Sequence, residues 1–359
     1  MTSKQNSDLR DQPAGVRDDE QQDSDTLAKS YRYLRLAMVG LLLCLAAAVA
    51  YQSLRQGDLL GSVSAYYYTP AQAFFVGGLI GLGACMIALK GTNIVEDVAL
   101  NLGGVFAVIV AVVPTGRSAD YEAARNACRE AGIPLLSEKA STGTGADCPT
   151  VQALADATRA NVDNNLFAVL LVGALALVLS LVVARSDGTF KPQAAERAKN
   201  FWLGFGVALG LWLAILFARL ASLEWVIDNG HWIAAVLLFV CIFVVALANA
   251  RRVEKEQSPA QSGDGSLSAA QESLAAARGL FARRRRGDQR YILIARLLLA
   301  VAVVTIGLWK FTDFSLFWVE ALVFLLFMAF WTAQTFELES RQKVILQPPT
   351  TVDRSSAGL

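Results

Sequence analysis

Long apolar runs alternate with short polar stretches along this chain, and the runs recur at the length that a bilayer sets. A hydrocarbon core about 30 Å thick needs about 20 helical residues at 1.5 Å of rise each. Eight segments meet or approach that length: 33–52, 73–89, 98–114, 166–184, 201–220, 232–250, 291–310 and 317–336. The second and third are the shortest, and only the link GTNIVED separates them, which predicts a tight helical hairpin. The pattern therefore predicts an all-α fold, a polytopic transmembrane helix bundle of about eight spans.

The segments between the spans set the expected orientation, because Lys and Arg resist translocation. Arg185, Lys191, Arg197 and Lys199 follow the fourth span; Arg251, Arg252, Lys255, Arg278, the run from Arg283 to Arg286, and Arg290 follow the sixth. The connections after spans five and seven, ASLEWVIDNGH and FTDFSL, carry neither residue. Both termini are thus expected in the cytoplasm. Residues 1–31 are polar and acid-rich and read as a disordered cytoplasmic tail; 338–359 form a second tail. No cleavable signal peptide is visible, since the first apolar run lacks a clear cleavage site and is long enough to remain as an anchor.

Two loops add detail to this plan. Between spans three and four, residues 116–165 form the one sizeable external segment, with Ser118 as a helix N-cap, Gly132 as a stop and Pro149 in the first turn of a second helix. Cys128 and Cys148 share this loop on the oxidising side, so a disulfide pinning a small helical hairpin is expected, contributing about 3 kcal/mol. Cys44, Cys85 and Cys241 fall inside spans, where a thiol behaves as a small apolar group. Inside, residues 253–289 join a polar linker to SLSAAQESLAAARGLFARRRR, in which Leu267, Leu274 and Phe281 recur at seven-residue spacing. That stretch reads either as a basic amphipathic helix for anionic lipids or as a topology signal alone.

Spans in lipid associate through close contact of small residues. Gly206, Gly210, Ala214 and Ala218 in span five, Gly103, Ala107 and Ala111 in span three, and Gly77, Gly81, Ala84 and Ala88 in span two are expected to be buried seams, or a seam between two copies of the chain. Trp225, Trp232, Trp309 and Trp318 mark the outer boundary; Trp202 and Trp331 mark the inner one.

Composition agrees with this plan: 54% of the 359 residues are hydrophobic and only 18% charged, with a mean hydropathy of +0.42. The net charge of +1 hides an uneven distribution, with the charges in a few segments between apolar runs, so global charge says nothing about partners; no nucleic-acid partner is expected. Candidate chemistry is sparse, with no ionisable group in the middle third of a span. An inner polar cluster of Asp97, Asn101, Arg296, Gln334 and Glu337, with Lys90 and Glu96 beside it, is one candidate; an outer cluster of Tyr66, Arg219, His231 and Glu320, with Tyr67, Tyr68, Glu224, Asp228 and Asp313 nearby, is the other. A single histidine excludes a multi-histidine metal site, and no HExxH, CxxC, GxSxG or phosphate-loop pattern occurs, so no catalytic residue, metal or cofactor is assigned. Ser62 and Ser64 in GSVSAYYYTP could approach His231 as a hydroxyl nucleophile, but nothing in the sequence demands that.

The block SVSAYYYTPAQAFFVGGLIGLGACMIALKGTNIVEDVALNLGGVFAVIVAVVPTG, residues 62–116, together with FWVEALVFLLFMAFWTAQTFE in span eight, resembles an uncharacterised family of bacterial multi-pass integral membrane proteins. The SxSAYYYTP and ED-xxx-N elements carry the likeness, which implies a shared bundle in the bacterial cell membrane and no particular activity. Three functional classes follow: a non-enzymatic envelope protein that interacts with lipid or a partner; a transporter or channel for a small or lipid-like solute; and an enzyme acting on lipid at the outer face.

Overall fold

A computed structural model describes residues 14–91, 93–116, 118–132, 149–257, 292–301, 303–305 and 316–346, with backbone alone over 14–21, 23–25, 118–119, 121, 251–257 and 337–346. Every regular element among them is helical: α1 (Ala14–Gln56), α2 (Gln72–Ala88), α3 (Ile94–Val112), α4 (Ser118–Glu130), α5 (Pro149–Ser186), α6 (Ala195–Ala221), α7 (Leu223–Gln257), α8 (Ile292–Thr305) and α9 (Leu316–Leu346), with short 3-10 turns at Ser64–Tyr68 and Pro192–Ala194. Among the described residues, six helical segments are long and apolar enough to cross a bilayer: Thr26–Gln56, Ile94–Val112, Pro149–Ser186, Pro192–Ala221, Leu223–Ala250 and Leu316–Phe336. The 17-residue α2 and the described part of α8 are apolar but shorter.

Several helices outrun their apolar runs. Helix α1 has 43 residues and reaches back to Ala14, so the stretch 14–31 continues the first helix where the sequence suggested disorder. No Gly or Pro interrupts the chain from Val16 to Val39, which leaves nothing to stop the helix. Helix α5, 38 residues long, likewise joins the second half of the expected external hairpin to the fourth span without a break.

Helices α1, α2 and α3, and then α5, α6 and α7, alternate in direction and define two ends. The hairpin end holds the 3-10 turn Ser64–Tyr68, α4, the start of α5 and the α6–α7 connection. The tail end holds the α2–α3 and α5–α6 connections and the far ends of α7 and α9. Helix α3 lies at the centre and packs most extensively on α7 and α2. Its start is fixed by Asn93, whose Oδ1 accepts the Glu96 N–H at 3.0 Å, a regular N-cap. The apolar core runs from Met38, Leu45 and Phe75 through Leu100 and Ala107 to Leu238, Leu298, Phe327 and Phe330.

Glycine meets glycine where α2 packs on α3. A Cβ on Gly83 would lie 2.5 Å from the Gly104 carbonyl oxygen, and one on Gly104 would lie 2.6 Å from that of Gly83. Helices α2 and α3 therefore touch backbone to backbone, the contact that small residues make possible. The seam on α2 is Gly78, Leu79, Leu82, Gly83 and Met86 rather than the expected stripe, of which Gly77, Ala84 and Ala88 are exposed and Gly81 only partly covered. On α3 the expected Gly103, Ala107 and Ala111 are buried.

Helix α6 departs from expectation. Gly206, Gly210 and Ala214 are exposed, and a Cβ on either glycine would meet nothing within 4 Å. Its main hold is on α5, where Trp212 lies against Gly173 and its Nε1 donates to the Leu170 carbonyl at 2.8 Å. Leu171, Val172, Leu175, Val178, Leu179, Val182 and Val183 of α5 are exposed in turn. Such a continuous apolar surface is what a lipid-facing helix presents.

At the hairpin end, α4 stops before Gly132, which takes the left-handed conformation at φ 72° expected of a helix stop. Cys128 is buried against Val151, Ala124, Leu154 and Ala155. Cys148, its expected partner, lies outside the described residues, as do most of the basic segment 253–289, Trp309 and Asp313. Trp225, Trp232, Trp318 and Trp202 are about half exposed, as interfacial residues should be. Trp331 is instead 2% exposed and packs among Phe327 and Phe330, so it is a core residue and not part of a belt.

Candidate functional site

Two polar assemblies lie within the bundle, one at each end. At the hairpin end, the segment Gly61–Tyr68 folds back over α9. Glu320 receives it: its Oε2 accepts the Val63 N–H at 2.5 Å and the Ser64 N–H at 3.2 Å, and its Oε1 accepts the Ser64 hydroxyl at 3.1 Å. Ser62 accepts the Ala65 N–H at 3.0 Å, and the Phe317 N–H donates to the Gly61 carbonyl at 2.9 Å. Tyr66, fully buried, closes the same turn onto α1: its hydroxyl accepts the Leu60 N–H at 3.3 Å and donates to Ser53, whose own proton is held by the Val49 carbonyl. Tyr68 donates to the Thr115 carbonyl at 2.7 Å, which ties the turn to the end of α3.

The SxSAYYYT pattern thus encodes a latch between α1, α3 and α9. Among the described residues the Val63 and Ser64 N–H groups and the Ser64 hydroxyl all donate to Glu320, which makes this side chain the structural acceptor of the turn. Tyr66 and Glu320 share this latch; the other two members of the expected outer cluster do not join it. Arg219 pairs with Asp163 at 2.8 Å, and the neighbouring Glu224 pairs with Arg159 at 3.0 Å, both bridging α5 to the α6–α7 connection. His231 is 6% exposed, and its Nδ1 lies 2.7 Å from the Val113 carbonyl, so that nitrogen carries the proton and donates it. Serine and histidine therefore serve different helix pairs: Ser64 joins the turn to α9, and His231 joins α7 to α3.

At the tail end, the expected inner cluster divides. Asp97 lies at the rim, 3.3 Å from Lys90, and accepts the Gly91 N–H at 3.0 Å. Asn101 and Arg296 are both exposed on the bundle surface, where the long arginine stem can carry its charge to an interface. The side chain of Glu337 lies outside the described residues. Gln334 alone points inward, and it meets two residues that complete a buried chain.

Glu96, Asn249 and Gln334 are 2%, 1% and 6% exposed and come from α3, α7 and α9. The Asn249 Nδ2 donates to Glu96 Oε1 at 2.6 Å and to the Val245 carbonyl at 2.9 Å, and the Gln334 Nε2 donates to Asn249 Oδ1 at 3.2 Å. Gln334 Oε1 is buried and has no hydrogen-bond partner. An orphaned amide oxygen of this kind costs about 1–3 kcal/mol. Asn249 is the member of this buried polar chain that reading along the sequence missed. Its signal was a lone amide in ALANARR, at the end of the otherwise apolar run 232–250.

Between α1 and α9 a groove of about 790 Å³ opens on the side of the bundle, lined by Leu42, Val49, Leu54, Phe317, Phe324 and Met328 among others. Among the described residues that line it, Asp58 is the one charged side chain, at the hairpin end. Among the described residues no group of three His, Cys, Asp or Glu side chains is placed to hold a metal ion.

These features define a multi-helix integral membrane protein, tied together by polar contacts at both ends and by apolar packing between them. No protein-family model, no curated protein and no solved structure matches the chain, so its functional reading rests on this geometry.

Proposed function

We propose that the protein is a non-enzymatic integral protein of the bacterial plasma membrane that acts by holding lipid in the lateral groove between α1 and α9. The observation that carries this reading is the groove itself. Its volume falls within the range of about 300–1,000 Å³ typical of small-molecule sites, its wall is apolar, and it opens sideways between two helices of the bundle. A lipid chain is the partner a bilayer supplies to such a surface. The transport alternative needs Asp97, Asn101, Arg296 and Gln334 around one path; instead Asp97 is paired at the rim and Asn101 and Arg296 face outward.

The reading includes eight spans, with α2 and α8 completing the six long ones, and both termini in the cytoplasm. Arg185, Lys191, Arg197 and Lys199 at the tail end, against a hairpin-end connection ASLEWVIDNGH without Lys or Arg, support that direction. It also includes the Cys128–Cys148 disulfide. Cys128 Sγ lies 3.3 Å from Thr150 Oγ1, only two residues beyond Cys148 along the chain. Anionic lipids are assigned to the basic segment before α8.

Native mass spectrometry of the full chain released from membranes tests the lipid reading. The wild type should retain lipid; Ala46→Phe with Ala50→Phe, both exposed groove positions, should lose it; Ala176→Phe on the exposed face of α5 should retain it. Equal retention by the groove variant and the wild type sinks the proposal.

A further inference from the structure

We infer that a polar cavity at the hairpin end binds one neutral sugar or cyclic polyol unit, either free or carried as the headgroup of a lipid. The inference starts from three consecutive tyrosines. Tyr66 bonds to Leu60 and Ser53, and Tyr68 donates to the Thr115 carbonyl at 2.7 Å. Tyr67 stands between them and is 8% exposed, and its hydroxyl makes no hydrogen bond among the described residues. Nor is that hydroxyl one of the polar atoms sealed away from solvent. Buried polar groups are nearly always satisfied, so a hydroxyl that no protein group meets points to a partner from outside the chain.

Tyr67 lines a cavity of about 260 Å³, which shares no wall residue with the lipid groove among those described. The 3-10 turn supplies Tyr67, Tyr68 and Thr69 and leads into α2, whose first residue, Gln72, is an exposed part of the wall. Pro114 follows α3, and Thr158 and Asn161 lie three residues apart on α5, on one face of that helix. Asn165, a further turn along α5, donates to the Val112 carbonyl at 3.3 Å. Together with the Tyr68 bond, this ties both walls to the end of α3.

What fills the cavity follows from its donors and acceptors. Among the described residues that line it none is charged, so an ion entering it loses hydration without gaining an opposite charge. An apolar molecule leaves the Tyr67 hydroxyl unsatisfied. The side-chain amides of Gln72 and Asn161 make no hydrogen bond among the described residues, and each offers an oxygen acceptor and N–H donors. Thr158, buried, spends its proton on the Leu154 carbonyl at 2.9 Å and keeps its oxygen as an acceptor. The ligand therefore gives and accepts hydrogen bonds in several directions while carrying no charge, which is the chemistry of a ring of hydroxyl groups. At about 30 Å³ for each water displaced, the cavity holds about eight or nine waters, enough for a single sugar ring and too few for two. The rings of Tyr67 and Tyr68, edge to face at 5.0 Å, add an apolar wall for the C–H groups of that ring. The inference does not depend on the lipid reading.

Saturation-transfer NMR of the full chain, in a detergent without a sugar headgroup, tests it with methyl glucoside and inositol as probes. The wild type should bind at least one of them saturably, at roughly millimolar Kd. Tyr67→Phe removes only the hydroxyl and should weaken binding about three- to tenfold. Asn161→Trp, which fills the cavity from α5, should abolish it; if that variant fails to fold, Tyr67→Phe carries the test. Glucuronate, the same kind of ring with a carboxylate, should bind far more weakly. Nanodiscs containing a monoglucosyl diacylglycerol separate the two sources. Retention of that lipid in native mass spectrometry, lost in Asn161→Trp but kept in the Ala46→Phe, Ala50→Phe groove variant, supports the inference with the unit assigned to a lipid headgroup. Probes and lipid that all fail to bind, or that bind equally to the wild type, Tyr67→Phe and Asn161→Trp, overturn it and leave a cavity that holds water alone. So does glucuronate bound as tightly as methyl glucoside.

Discussion

Asn249 holds two buried neighbours at once, which makes it the most consequential side chain at the tail end. Asn249→Leu leaves Glu96 Oε1 and Gln334 Nε2 without this partner and should destabilise by about 1–3 kcal/mol for each group so exposed, measured by unfolding in detergent. Glu320 offers the contrasting case, a carboxylate whose facing donors are all satisfied. Glu320→Gln keeps the shape but removes the charge that two backbone N–H groups and a hydroxyl point toward. It should cost about 1.5–3 kcal/mol, the range for hydrogen bonds to charged groups, with faster proteolysis in the segment 57–69 as a second readout. Much of this was legible in the residues: Glu320 and Gln334 stand out as polar positions inside an apolar run, and Tyr66 lies in the SxSAYYYT pattern between two runs. Their partners did not, because Val63 and Ser64 act through backbone N–H groups and Asn249 through a contact 85 residues away in the chain. For the same reason Asn101 and Arg296 looked equivalent to Gln334. Position along a span gives depth, whereas the face a side chain occupies depends on which helices pack beside it.

Small residues separate the inner helices from the outer pair. Gly83→Ala places a methyl group against the Gly104 carbonyl and should force α2 from α3, at about 1–3 kcal/mol of overpacking. Gly206→Ala adds a methyl group where nothing lies within 4 Å and replaces glycine in a helix, so it should stabilise by about 0.5–1 kcal/mol. A loss at Gly206 of the size expected at Gly83 would instead show that α6 meets a second copy of the chain. The existence and order of the helices were readable from apolar run length alone. The choice between Gly77 and Gly78 as the buried face was not, since neighbouring glycines give nearly the same pattern and only the partner helix decides. The start of α1 was misjudged for a different reason: a polar, acidic composition suggests an unfolded tail, yet a helix continuous with an anchored span needs no nucleus of its own. At the hairpin end, the proposed Cys128–Cys148 bond should contribute about 2–4 kcal/mol. The wild type should migrate more slowly in gels after reduction, and Cys128→Ala should abolish that difference; a wild type indifferent to reductant contradicts the bond.

The whole molecule is a bundle whose polar groups pair at its two ends, with α3, α2 and α7 packed tightly between them. The central claim is that this middle is dry, so that the protein meets its ligands at its sides and ends and not along a path through itself. Cys241 reports on the point directly, because it is buried on α7 where α7 meets α3, its Cβ within 3.2 Å of where a Gly103 Cβ would stand. The decisive measurement is the rate at which a small, water-soluble methanethiosulfonate reagent labels Cys241 in native membranes, in a chain whose other cysteines are replaced. The account predicts no labelling until the protein is denatured. Labelling at the rate of an exposed control cysteine would place water at the centre of the bundle and return transport to the lead.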